Sequence, residues 1–330
     1  MLNFKYCNRF LLLASMLLSG ITSSCSAMNF QTARKTPIRI YYTAWPGDYP
    51  LVLADALGYY DKYGLDVELI PIKSRNDGFI EFINSQVDTL NINLRDDLLI
   101  AQTEDIQIVW LQDNTLDTLV SIPTIATPND LRGKRIGLDT RTGIGELFIE
   151  AILKINNLTL QDVTLVHFLP DEVPSALGKQ IDAGYTWNPY TEEAIAGGNK
   201  ILLQLPSQSP DVMIFKKSFI DEHSDNLRAL VEAWSESVLY WEANPTKSVE
   251  LIASFYGVTP EELSLGVEEG VDTYSRQQNI EALSPSSVDS IYDVAKVNLD
   301  YLVTTGSVWR LPDISTLINN EFLGKLESSN

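Results

Sequence analysis

Strand-like and helix-like patterns of apolar and polar positions alternate along the first third of the chain. "PIRIYYTAW", from Pro37 to Trp45, places β-branched and aromatic residues in alternation and predicts a strand. In "PLVLADALGYYDKYG", Leu51, Leu53, Ala54, Leu57 and Tyr60 recur at helical spacing, and Gly64 is placed to stop that helix. "LDVELIPI" then predicts a second strand, "SRNDGFIEFINSQ" a second helix and Asp88 to Ile92 a third strand. "RDDLLIAQT" reads as a short helix and "IQIVWLQ" as a further strand. Strands alternating with helices imply crossover connections and a mainly parallel sheet.

A second unit of the same plan starts near Pro123, without a close sequence repeat. "TPNDLRGKRIGLDTRTGIGELFIEAILKINN" predicts a helical turn, a strand, a loop and a helix. "DVTLVHFL" is a strand, "VPSALGKQ" a helix, "IDAGYTWNPY" a strand running into an aromatic loop, and "NKILLQL" another strand. After Pro210 the pattern changes. "DVMIFKKSFI" reads as a strand returning the chain, and helices then dominate to the end, several with capping signals such as Asn244-Pro245 and Thr259-Pro260. The pattern predicts two α/β lobes joined by two crossings, near Ile122 and near Asp211. The first lobe takes 37–122 and 212–330, and the second takes 123–211. Ligands of such architectures sit in the cleft outside the carboxyl ends of the strands.

Composition changes little in this picture; charge and cysteine usage change more. The 330 residues are 45% apolar and 21% charged, an ordinary globular mix. The formal charge of −20 opposes a general role on nucleic acid or anionic membrane, because long-range repulsion acts against both. It does not exclude an anionic ligand, since a closed pocket answers to its nearest dipoles and charges. At the N-terminus, Lys5 and Arg9 precede "FLLLASMLL", an apolar run of signal-peptide length that is too short to span a bilayer comfortably. Residues 1–25 are expected to be an export signal and 26–36 a short tether. Thr22-Ser23-Ser24-Cys25 resembles a lipobox, with Thr22 where an aliphatic residue is usual, so Cys25 is the expected lipidation site. Cleavage by ordinary signal peptidase after Ala27 is the competing reading. The only cysteines are Cys7 and Cys25, so the mature domain has none for a disulfide framework or a cysteine-rich metal site.

"WPGDYPLVLADALGYYDKYGLDVEL", "DLRGKRIGLDTRTG" and "QIDAGYTWNPY", in that order, resemble the periplasmic substrate-binding proteins of ABC transporters for nitrate, taurine and aliphatic sulfonates, together with the related binders of thiamine precursors. The resemblance runs from Pro37 to Leu205 by motif and onward by helical pattern. It implies an α/β, two-lobed periplasmic binding protein fold (type II). It implies an exported protein, lipid-anchored or periplasmic, that acts as a monomer without cofactor or metal. Its partners would be a small-molecule ligand, an ABC permease with its ATPase, and the membrane through the lipid anchor. The solutes favoured are small organic anions or zwitterions, with sulfonates and taurine ahead of nitrate. A pyrimidine or other flat heterocycle stacked between Trp45 and Trp187 is the alternative, and a tethered sensory receptor is another.

Four loops at strand ends carry the candidate contacts. In "GLDTRTGIGELF", Thr140, Arg141, Thr142 and Gly143 open a helix, whose first turn offers free N–H groups and a partial positive charge. That is a seat for an anion, with Arg141 adding a planar fork of donors; the plainer reading is a helix cap with Arg141 facing water. The aromatic turn at Trp45, Gly47 and Asp48 either forms a ligand wall or packs between the lobes. Asn93, Arg95 and Asp96 stand after the third strand, where Arg95 either reaches the cleft or forms an internal salt bridge. Trp187, Asn188 and Tyr190 would face Trp45 across the cleft. Trp234 and Trp241, seven residues apart, read as core.

Catalysis is a weak reading. The two histidines, His167 and His223, lack metal-ligand spacing, and no nucleophile elbow or mature cysteine is present. His167, in an apolar strand, reads as a core or rim histidine. The resemblance points the same way, because the enzyme branch that makes a thiamine pyrimidine precursor carries a cysteine cluster absent here.

Overall fold

β-branched and aromatic residues at alternate positions put Ile38 and Ile40 on the buried side of β1 (Ile38–Tyr42) in this computed structural model. The structure describes residues 37–43, 45–72, 75–140, 143–267, 271–288 and 290–324. The export signal, Cys25 and the tether lie outside the described residues, as do Arg141 and Thr142. Among the described residues no helix is long and apolar enough to cross a membrane.

The expected first helix is two. α1 (Tyr49–Ala56) ends at Leu57, and α2 (Tyr59–Lys62) restarts after Gly58, whose φ of 70° breaks the helical path. β2 (Val67–Pro71) pairs in parallel with β1, and α3 (Arg75–Ile83) leads to β3 (Thr89–Asn93), parallel to β1 on its other side. α4 (Leu94–Ile100) follows at once. β4 (Ile106–Ser121) is far longer than the expected "IQIVWLQ". It continues through Gln112, Asp113 and Asn114, because its middle pairs with strands on both sides and the Gln112 and Asp113 side chains find partners there.

The second unit holds β5 (Arg135–Leu138), α5 (Ile144–Ile155), β6 (Thr164–His167), α6 (Val173–Ala176), β7 (Ala183–Thr186), α7 (Tyr190–Ala196) and β8 (Lys200–Pro206). β9 (Asp211–Lys216) ends sooner than expected, because Lys217 already opens α8 (Lys217–Ala243), which is kinked at His223. α9 (Pro245–Tyr256), α10 (Pro260–Val267), β10 (Val271–Thr273), α11 (Arg276–Ala282), α12 (Ile291–Thr304) and α13 (Ile314–Leu317) complete the order. The sequence pattern did not reveal α7, β10 or α11, which are short and lack a full apolar period.

The strand order is β2-β1-β3-β9-β4-β7-β5-β6, with β8 and β10 also on β4. β2-β1-β3 and β7-β5-β6 are parallel groups, and antiparallel strands stand between them. The mixture follows from the path of the chain. β4 runs from one group into the other: 106–113 pairs with β9, and 116–121 pairs with β7 and β8. β9 brings the chain back.

Buried apolar residues fall into separate clusters. The largest joins Ile40, Leu90, Ile108, Ile214, Leu230 and Leu302. Another joins Leu119, Ile136, Phe148, Ile152 and Tyr185. Trp234 is buried in the first cluster against Trp110 and Phe215, whereas Trp241 is half-buried and stacks on Tyr49. His167 lies on edge strand β6 with its side chain 45% exposed, so it is a rim residue.

Candidate functional site

The aromatic turn after β1 is clamped to the middle of β4. Trp45 is half-buried and opens a short 3-10 turn, Pro46–Asp48. Its indole Nε1 donates to Asp113 Oδ2 at 3.2 Å, and Gln112 Nε2 donates to the Gly47 carbonyl. Only glycine fits at position 47, because a Cβ there would lie 1.7 Å from Asp113 Oδ2. Asp48 is buried and faces inward. Its carboxylate accepts from the Thr43 amide and hydroxyl, both at 2.8 Å, and from Asn91 Nδ2 at 2.6 Å. Burial pushes that carboxyl up to about 6 in spite of these bonds. Tyr256 of α9 donates to the Thr43 carbonyl at 2.6 Å and secures the loop from the far side. Asn91 keeps its own Oδ1 buried and without a partner.

After β3, Asn93 caps α4 by accepting from the Asp96 amide at 3.1 Å and donates to Asp96 Oδ2 at 2.9 Å. Arg95 Nη1 donates to Asp96 Oδ1 at 2.9 Å, so the internal salt bridge is present. That bridge uses only part of the guanidinium. Arg95 is 9% exposed, and its Nε is buried with no hydrogen-bond partner. The guanidinium lies against Gly143 at the start of α5, where a Cβ would come within 2.9 Å of Nη2. Gly143, at φ 71°, is the N-cap of α5. A cation at the start of α4 thus meets the positive end of α5. Next to it, Asp97 is fully buried with both oxygens unpartnered, and burial raises its carboxyl well above the usual range.

In the loop after β5, Thr140 is exposed and its Oγ1 lies 3.2 Å from His167 Nδ1, which is itself 3.5 Å from Asp139 Oδ1. Tyr301 of α12 approaches the first turn of α5. Burial first, and then the neighbouring Glu146 charge, push its phenol up to about 12. In the second aromatic loop, Trp187 is half-buried and edge-on to Tyr185, with centroids 5.8 Å apart. Asn188 keeps Oδ1 buried without a partner, and Tyr190 begins α7 half-buried.

Residues that the sequence pattern missed hold these loops together. Tyr185 donates to Asp117 Oδ1 at 2.7 Å, and the Arg95 amide donates to Ser209 Oγ at 2.9 Å. The available signal was the return of alternation at "TLDTLVS" beyond the polar stretch, which marks β4 as one strand.

Burial also raises Asp117 to about 6, against the opposing hydrogen bond from Tyr185. Asp48 and Asp117 titrate near 4 when unfolded. Between about pH 4 and 6 the folded protein therefore binds more protons than the unfolded chain. Their contribution to stability is full below pH 4 and is lost as pH rises through 6. The expected result is a higher melting temperature at pH 5 than at pH 7.5, with a smaller difference in Asp117→Asn. Calorimetry showing no difference for the parent protein would contradict this assignment.

The model of the NMT1/THI5-like family matches residues 45–248, from the Trp45 turn into α9. The chain belongs to the NMT1/THI5-like family. A Brucella abortus protein named as a binding protein is 23% identical over 266 residues, covering 74% of this chain and 79% of the relative. Among solved structures, the aliphatic sulphonate binding protein SsuA of Escherichia coli superposes with a TM-score of 0.68 at 15% identity, covering 89% of this chain and 94% of that one. The desulfurization enzyme DszB superposes with a TM-score of 0.60 at 17% identity, covering 86% and 97%. The NMT1/THI5-like chain described here thus has the periplasmic binding protein fold, a fold that also carries an enzyme.

Proposed function

We propose that this protein is an exported solute-binding protein of an ABC importer. In this reading it closes residues 37–122 with 212–330 upon 123–211 around a small zwitterion bearing a sulfonate-like anionic group. One observation carries the reading: the buried Arg95 guanidinium, with Nε unpartnered, set against Gly143 at the N-terminus of α5. Two positive features held together call for an anion beside them. The orphan acceptors Asn91 Oδ1 and Asn188 Oδ1, and the Asp113 carboxylate beside Trp45, suit an N–H-bearing group at the other end of the ligand. A zwitterion such as taurine matches both ends, whereas nitrate matches one.

Family and fold support an exported, importer-linked role. The protein would be anchored through Cys25 and would act as a monomer that hands its solute to a permease driven by its ATPase. Closure is favoured to the extent that the ligand touches both halves, as Arg95 and Gly143 allow.

The test is a thermal-shift and calorimetric screen of taurine, methanesulfonate, nitrate and a thiamine-precursor pyrimidine. Taurine is expected to raise the melting temperature most, in proportion to the logarithm of its concentration. A response to the pyrimidine alone would favour the heterocycle, and silence toward every anion would overturn the proposal.

A further inference from the structure

We propose a second small-molecule site, for a compact amine with an apolar body, in the cavity beside the segments that join the two halves. The cavity has a volume of about 570 Å³, within the span of small-ligand pockets. Residues 114–116 of β4 line one side, together with Ser207, Gln208 and Pro210 of the return segment. β10, α11 and the start of α12 line the rest. The return segment also holds Arg95, through Ser209, yet neither Arg95 nor Gly143 lines the cavity. The proposal therefore does not depend on the anion site.

Three features set the ligand's chemistry. Leu116, Ile291 and Val294 provide apolar surface, and Val288 stands on the lining 93% exposed. The described lining carries two carboxylates, Asp272 and Asp293, and no Lys, Arg or His. Asn114 Oδ1 is buried there without a hydrogen-bond partner. A partly apolar cavity with acceptors and negative charge is complemented by an N–H-bearing cation.

The N-terminus of α12 does not call for an anion here. Ser290 accepts from the Tyr292 amide at 3.3 Å, and Asp293 already stands in the first turn. The pairing of Asp293 with Lys296, at 2.7 Å, joins two exposed side chains and is weak in water. An ammonium in the cavity can replace it.

The test uses phenethylamine, 2-phenylethanol and phenylacetate, which share one apolar body and differ in head group, titrated into the full chain by calorimetry and NMR. Phenethylamine is expected to saturate one site at least about tenfold more tightly than the alcohol, and phenylacetate not to occupy it. The Asp272→Asn/Asp293→Asn variant changes two exposed positions and is expected to keep the fold. It is expected to weaken the amine about tenfold. Leu116→Trp, which fills the cavity, is expected to abolish binding, and Arg95→Gln to leave it unchanged. Equal binding of the three probes, or unchanged amine affinity in the double variant, would overturn the proposal. So would loss of the amine in Arg95→Gln, which would place it in the first site.

Discussion

Arg95→Gln is expected to weaken taurine binding by about 2 to 3 kcal/mol, or about 30- to 150-fold, the value of a charge-assisted hydrogen bond lost in a buried site. Stability of the unliganded protein should change little. Without ligand, Arg95 Nε has no partner, and its charge lies against the positive end of α5. Removing it therefore relieves one unfavourable term while costing the bond to Asp96, which still accepts from Asn93. The comparison is Arg135→Gln, which breaks the surface pair with Asp182 at 2.9 Å and should leave affinity unchanged. Calorimetric titration of both variants settles the matter. Equal affinities for Arg95→Gln and the parent protein would remove Arg95 from the site.

Trp234→Ala should produce the largest loss of stability, about 3 to 5 kcal/mol, as for other buried aromatic truncations. The indole is 1% exposed, lies 6.2 Å from Trp110 and 6.5 Å from Phe215 between ring centroids, and donates to Tyr60 OH at 3.1 Å. Its loss opens a cavity in the largest core cluster, and the neighbouring strands and helices limit collapse around it. Trp234→Phe should cost less than half as much, because most of the volume is kept. Urea denaturation measures both. Taurine affinity in the folded fraction of Trp234→Ala should be unaltered, because the ring and hydrogen-bond partners of Trp234 are the core residues Trp110, Phe215 and Tyr60. A loss below about 1 kcal/mol would mean that the site collapses freely.

The candidate site was partly legible in the sequence. Trp45, Gly47 and Gly143 were marked because turns at strand ends must satisfy backbone geometry, and that need leaves aromatic, proline and glycine signatures. Their use was less legible. Arg141, expected as the cation of the loop that opens α5, lies outside the described residues. The described cation beside that loop is Arg95, contributed from 48 positions before Gly143 by a different helix. Asp48, expected at the ligand, spends its oxygens on Thr43 and Asn91. Asp113 and Asp117 lie beyond the expected strand, which stopped at Gln112, because polar residues in an apolar run mark an edge unless something covers them.

By itself, the sequence determined the alternation of strands and helices, the parallel strand groups, the aromatic and glycine turns at strand ends and the likeness to solute binders. Each of these is a local demand: a period of two or 3.6 residues, a positive φ, or an apolar face in need of cover. Tertiary structure decided that β4 runs as one strand from its pairing with β9 to its pairing with β7 and β8, that Arg95 meets Gly143, and that Trp45 is tied to Asp113. Those pairings depend on which distant segments share space, and the physical cost of an unpaired buried donor or acceptor appears only when the chain has closed around it.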